Sequence, residues 1–297
     1  MEKLIECVPN FSEGTNPNII KTIADAMINA DDSVKMINIH SDKDHNRSVF
    51  TLIGSPQSIQ AAAFRGIEKA AACINLNNHI GTHPRIGAAD VIPFIPLRNT
   101  SMEDCIKVAR DVGKRVGEEL NIPVFLYGQA AICQDHSNLS DIRRGEYEKL
   151  RLLIGTDRAH TPDYGPLYIG QAGASAIGAR DILIAFNIYL DTTDLHYAKI
   201  IAKSIRESSG GLPYVKALGM LVNNKAQVSM NLMNYRKTSI QTVFTRVKEL
   251  AEDYGIRLHH SELVGCLPLE AMDGIHTEDI LLFDFSQDRI LENHFSG

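Results

Sequence analysis

The sequence predicts an α/β (α+β) protein made of two ferredoxin-like subdomains, with mixed, mainly antiparallel sheets and a ligand cleft between them. Three observations carry that reading. The order strand, helix, strand, strand, helix, strand occurs near the N-terminus and again from Asp181. A glycine- and proline-rich stretch, Gly155–Gly178, separates the two occurrences. At 297 residues, 44% hydrophobic and 22% charged, the chain can form two domains of ordinary size, each with its own core. Subdomain limits of 1–180 and 181–297 follow.

Leu4–Val8 is an apolar run stopped by Pro9, the first strand, and Asn10–Asn16 is a loop of turn formers. Pro17 opens a helix with Ile19, Ile20, Ile23, Ala24 and Met27 on one face. Val34–Ile39 and Ser48–Gly54 read as strands joined by the polar run HSDKDHNR. Ser55 and Pro56 start a second helix, its inward face Ile59, Ala62, Ala63, Ile67 and Ala70. VIPFIP is a short strand that Pro93 and Pro96 place near an edge or an end. Ser101 caps a third helix, acidic in its first turn, and Pro123–Tyr127 is a further strand. Gln129–Gly178 shows little periodicity beyond a short helix over Asp141–Leu152.

The second pattern begins with a strand at Ile182–Leu190 and a helix at Thr193–Ser208, stopped by Gly210-Gly211. Strands Val215–Val222 and Gln227–Met233 flank Asn223-Asn224. A helix over Ser239–Tyr254 and a strand over Arg257–Val264 complete it, and the tail is expected to add one more helix.

A net charge of −6 gives no global basic field for nucleic acid or an anionic membrane. Cys7, Cys73, Cys105, Cys133 and Cys266 are odd in number and widely spaced, without a CxxC pair, as in a reducing compartment. The N-terminus lacks a signal-length apolar run, and no 18-residue apolar stretch exists. A soluble, cytoplasmic protein is expected.

The densest chemistry lies in NHIGTHPRIGAADVIPFIP, Asn78–Pro96. Pro84 pushes His83 out of the helical region, so an imidazole (His83) and a guanidinium (Arg85) stand on stiff backbone before a strand. His79 and His83 have the spacing of a helical metal pair, but Gly81 and Pro84 argue against that helix. Two more polar clusters lie at strand ends, CVPNFSEG and HSDKDHNR. The second reads most simply as a solvated hairpin loop. Metal binding by His40, Asp42, Asp44 and His45 would match no standard ligand spacing. Nothing supplies a dedicated base for Cys7 as a nucleophile. DYGPLYIGQAGASAIGAR, Asp163–Arg180, contains neither a phosphate-loop nor a dinucleotide fingerprint, but its bare backbone suits a flat ligand.

ECVPNFSEG, DHNRSVFTLIG, GTHPRIGAADVIPFIP, VFLYGQAA, RRGEYE, PDYGP and LVGCLP occur in an order and spacing that together are specific. Over essentially its whole length the chain resembles the glutamate formimidoyltransferases: the folate-dependent domain of formiminotransferase-cyclodeaminase and its stand-alone microbial relatives. The resemblance implies folate in the cleft between two α/β subdomains and His83 as catalytic acid/base. It implies folate contact by Gly165, Pro166, Leu167, Tyr168, Ile169, Gly170, Gln171, Ala172 and Gly173. Tetrahydrofolate is then the co-substrate and N-formimino-L-glutamate the donor, with no metal, no nucleic acid and no membrane, in an expected homodimer. No segment remains for a cyclodeaminase domain, so a monofunctional protein is expected. The chain departs from the bifunctional enzymes at His40, where they have an acidic residue, and at Ala172, where they have tryptophan.

An imidazole of unperturbed pKa suits the chemistry, which must take a proton from N5 of the folate and give one to the departing glutamate nitrogen. The two carboxylates of glutamate call for arginine forks, and Arg47 and Arg85 are the candidates by position. Valine at Gly173 is expected to weaken folate binding and leave folding intact. Two alternatives stay open: an enzyme of 5-formyltetrahydrofolate turnover using the same cleft and His83, or a folate-binding protein without turnover.

Overall fold

A computed structural model describes residues 2–295 as two compact units that meet between Arg180 and Asp181. The first unit is built on β1 (Leu4–Cys7), β2 (Asn10–Phe11), α1 (Pro17–Ile28), β3 (Lys35–Asp42), β4 (Arg47–Gly54), α2 (Pro56–Cys73) and β5 (Ala89–Arg98). β1 and β2 share one slot, both antiparallel to β4 and to β5, and β3 pairs with β4. The resulting spatial order, β5-β1-β4-β3, is that of a ferredoxin-like half. β7 (Ser175–Ala179) and β6 (Val124–Gly128) then extend it beyond β5 in parallel.

β5 departs from its predicted place. It is ten residues long and internal, with β1 and β2 on one side and β7 on the other. Two irregularities admit its prolines. Val8 N donates to Pro93 O, so that edge of Pro93 faces the Val8–Pro9 interruption between β1 and β2. Pro96 pairs with Ile5 at a register shift. Prolines at bulges need not lie on an edge strand.

Asn16, Ser55 and Ser101 cap α1, α2 and α3 (Met102–Glu119). These helices pack Ile23, Met27, Ile59, Ile67 and Val112 against Ile5, Phe50, Leu52, Ile92 and Phe94 on one face of the sheet. On the other face, α4 (Leu139–Ile142) and α5 (Glu146–Leu153) bring Ile142 and Leu150 onto Val91, Phe125, Tyr127 and Ala176. The single helix predicted over Asp141–Leu152 is thus two, broken at Gly145, whose φ is +88°. β7 also lies inside a stretch read as irregular. Its sequence, SAIGA, has almost no bulk from which to read a period.

The second unit runs β8 (Ile184–Leu190), α6 (Leu195–Ile205), β9 (Val215–Val222), β10 (Lys225–Leu232), α7 (Ile240–Glu252) and β11 (Leu258–Val264). Its four antiparallel strands lie in the order β11-β8-β10-β9, again ferredoxin-like. Asn223 and Asn224 both have positive φ, +48° and +56°, as a two-residue hairpin turn requires. Ala198, Ile201, Val243 and Val247 cover Phe186, Ile188, Val228 and Met230. The extra helix expected in the tail is absent among the described residues, which form short 3₁₀ turns there. No helix among the described residues is long and apolar enough to cross a membrane.

Candidate active site

The first unit brings the three polar clusters of its sequence together. Thr82 N and Oγ1 both donate to Asp44 O, at 3.0 and 3.1 Å. Asn46 Nδ2 donates to Ile80 O at 2.8 Å, and Gly14 N donates to Asn46 Oδ1 at 2.9 Å. A side chain at Gly81 would stand 2.4 Å from His45 O, so glycine lets the two loops touch. The stretch around His83 is therefore laced onto the β3–β4 hairpin, and β3 and β4 reach further into that hairpin than predicted.

This lacing places His83 beside Arg47, whose Nη1 lies 2.6 Å from His83 Nε2. A guanidinium only donates, so Nε2 accepts and the ring proton sits on Nδ1. That Nδ1 is enclosed. The His45 ring stands edge-on at 5.9 Å. Burial first, then the nearby charges of Arg47, Arg143 and His45, hold His83 well below the ordinary imidazole pKa. The expected unperturbed imidazole is corrected on this point: burial and the neighbouring cations favour the neutral ring of His83.

Arg143 belongs to the RRGEYE motif. It pairs with Asp90, which is 2% exposed and also accepts from Ile86 N at 2.8 Å. Its Nε is buried and makes no hydrogen bond. Arg143 Nε is thus an enclosed donor without an acceptor, the kind of group an anionic ligand completes.

Arg85, 8% exposed, is already occupied. It donates to Glu146 at 2.7 Å, to Glu148 at 2.6 and 3.0 Å, and through Nε to His79 Nδ1 at 3.1 Å. His79 Nε2 in turn donates to Asn46 O at 2.9 Å, so both of its ring nitrogens are used. The pair His79–Arg85 therefore ties α5 to the hairpin, and Arg85 has no open fork for a substrate carboxylate.

The stretch Gly165–Gly173 adjoins this region: Ala88 N donates to Ala172 O, and Ala174 N to Ile86 O. Leu167 and Tyr168 project from it, each 61% exposed. Gly173 is a structural glycine, with φ +74° and an added Cβ only 2.2 Å from Ile86 O. Valine there would disrupt the local fold, contrary to the expectation above. Gly170 has open space around it and no positive φ.

Cys7 is buried on β1, and burial with the neighbouring Glu6 pushes its thiol well above the usual range, which suits a core residue and not a nucleophile. Glu6 shows what alternation alone conceals. Burial raises its carboxyl to about 7 against the pull of Arg180. Among the described residues, no three His, Cys, Asp or Glu side chains are grouped to hold a metal ion. His40, Asp42, Asp44 and His45 form no such group.

Comparison with known proteins identifies the family. Residues 4–180 match the N-terminal subdomain of the formiminotransferase domain, and residues 185–278 match a second formiminotransferase-domain family. The chain is 46% identical to the glutamate formimidoyltransferase of Thermoplasma acidophilum, with 97% of this chain and 96% of that protein aligned. It is 41% identical to the glutamate formimidoyltransferase of Streptococcus pyogenes over the full length of both. The formimidoyltransferase-cyclodeaminase of Mus musculus is 39% identical over 92% of this chain but only 51% of its own length. With both subdomains matched and full-length relatives above 40% identity, the chain belongs to the formiminotransferase family.

Proposed function

We propose that the protein is a glutamate formimidoyltransferase, moving the formimino group from N-formimino-L-glutamate to N5 of tetrahydrofolate. The observation that carries the reading is a neutral, enclosed imidazole beside guanidiniums, in a chain similar over its whole length to enzymes of that name. N5 attacks the amidine carbon and forms an N–C bond. His83 takes the N5 proton and returns it to the glutamate nitrogen as the old C–N bond breaks. In this structure Arg47 holds Nε2, the nitrogen without a proton. A substrate carboxylate drawn to Arg47 would uncover Nε2 as it binds. Arg143 supplies a second cation for the dicarboxylate, and Arg85 positions the loop.

The test is to give the purified protein each one-carbon donor. Release of glutamate from formiminoglutamate with tetrahydrofolate supports the reading. Loss of 5-formyltetrahydrofolate alone, or binding without turnover, sinks it. Both attacking and leaving atoms are nitrogen and no oxyanion forms, so exhaustive chelation should leave activity intact. A large loss restored by zinc would contradict this. No cysteine among the described residues is paired, which supports a cytoplasmic setting. A homodimer is the expected assembly, checked by light scattering.

The Gly165–Gly173 stretch is assigned to folate contact, supported by its projecting Leu167 and Tyr168 and its open Gly170. Gly170→Val should weaken tetrahydrofolate binding roughly tenfold, the order of one overpacked contact, with unchanged melting temperature. Unaltered affinity by calorimetry would count against the assignment.

A further inference from the structure

The turn that follows Arg143 holds a residue against its local preference. Gly145 and Glu146 stand one after the other in the left-handed region, at φ +88° and +59°. Glycine adopts that conformation freely. Glu146 does not, and glycine or asparagine would be the ordinary choice at its position. A residue kept in such a place points to a use for its side chain.

That use lies in the loop of His83. Glu146 Oε2 accepts from Arg85 Nη1 at 2.7 Å, and Tyr147 N donates to Arg85 O at 2.9 Å. Glu146 N donates back to Arg143 O at 3.0 Å and closes the turn. At its other end Arg143 pairs through its guanidinium with Asp90, whose Oδ1 accepts from Ile86 N at 2.8 Å. Two consecutive residues of one loop thus locate Arg143: Arg85 its backbone, through Glu146, and Ile86 its guanidinium, through Asp90.

We infer that Glu146 is a positioning residue for Arg143, its carboxylate gripped by Arg85 so that the strained turn presents Arg143 to the site. The benefit rests on the transferase reading, in which Arg143 receives a carboxylate of formiminoglutamate. A guanidinium fixed in advance leaves less to be ordered when the dicarboxylate binds. Glu148 binds Arg85 as well, at 2.6 and 3.0 Å, but lies beyond the turn, inside α5. It keeps Arg85 paired when Glu146 is changed.

The experiment uses the full chain. Glu146→Asn suits left-handed backbone and is too short to reach Arg85. KM for formiminoglutamate should rise about tenfold, the order of one misplaced charge-assisted hydrogen bond. The values of kcat, KM for tetrahydrofolate and melting temperature should hold. Glu146→Gln keeps the length and an acceptor for Arg85, and should recover part of the lost affinity. In an Arg143→Gln background, Glu146→Asn should add nothing, because the two residues act through one contact. An unchanged KM for Glu146→Asn would overturn the inference, as would no recovery with Glu146→Gln or a full further loss in the Arg143→Gln background. Should Glu146→Asn not fold, Glu146→Gly takes the same test. Failure of both to fold would make the carboxylate structural and also overturn the inference. Wild-type protein that releases no glutamate from formiminoglutamate would instead overturn the transferase reading.

Discussion

Replacing His83 with asparagine is expected to lower turnover by about 10² to 10⁴, the usual contribution of a positioned acid/base. Tetrahydrofolate affinity should change little, because the proton moves in the transition state and takes no part in holding the pterin. Steady-state kinetics and calorimetry on one preparation separate the two. A variant with near-normal turnover would remove His83 from the mechanism. His79 is a poor control despite being the same residue type. Both of its nitrogens are engaged, with Arg85 and with Asn46, so its loss would loosen the loop that carries His83.

The pH profile gives an independent reading of the same residue. His83 works as a base only when neutral, and burial with the guanidiniums of Arg47 and Arg143 lowers its pKa. The acid limb of kcat/KM, which reports the free enzyme, should therefore lie below that of an ordinary imidazole. A bound dicarboxylate offsets those cations and favours the imidazolium. The acid limb of kcat should then lie at higher pH than that of kcat/KM, a separation that an uninvolved histidine would not produce.

How much of this was legible in the sequence varied with the range of the interactions involved. Asn223-Asn224 announced its hairpin, because its positive φ values are a local demand. Local too was the stiff backbone at Thr82–Pro84 that made His83 conspicuous. The strand holding Pro93 and Pro96 was recognised but misplaced. The edge-strand rule assumes a regular partner, and here the partner strand is interrupted opposite Pro93. β7 was missed because its small residues give no hydrophobic period. Arg85 looked like an open fork, since nothing local shows that Glu146 and Glu148 reach it from 61 and 63 residues away.

Arg143 is the residue whose role only the fold reveals, and its replacement separates two functions that coincide there. It is held by Asp90 and contributes to the charge around His83. Removing the side chain outright would strand a buried carboxylate, at a cost of about 3–5 kcal/mol. Glutamine keeps a donor for Asp90 and removes only the charge, which makes Arg143→Gln the informative variant. If Arg143 receives a substrate carboxylate, KM for formiminoglutamate should rise about 10- to 100-fold, matching the roughly 1.5–3 kcal/mol of a charge-assisted hydrogen bond. KM for tetrahydrofolate should stay put. One of the two named guanidiniums holding His83 neutral is then gone, so the acid limb of kcat/KM should move up toward the ordinary imidazole value. A raised KM with an unmoved limb would make Arg143 a binding group without influence on the base. A moved limb with unchanged KM would leave it a positioning residue, and the carboxylates of the substrate would have to find another partner.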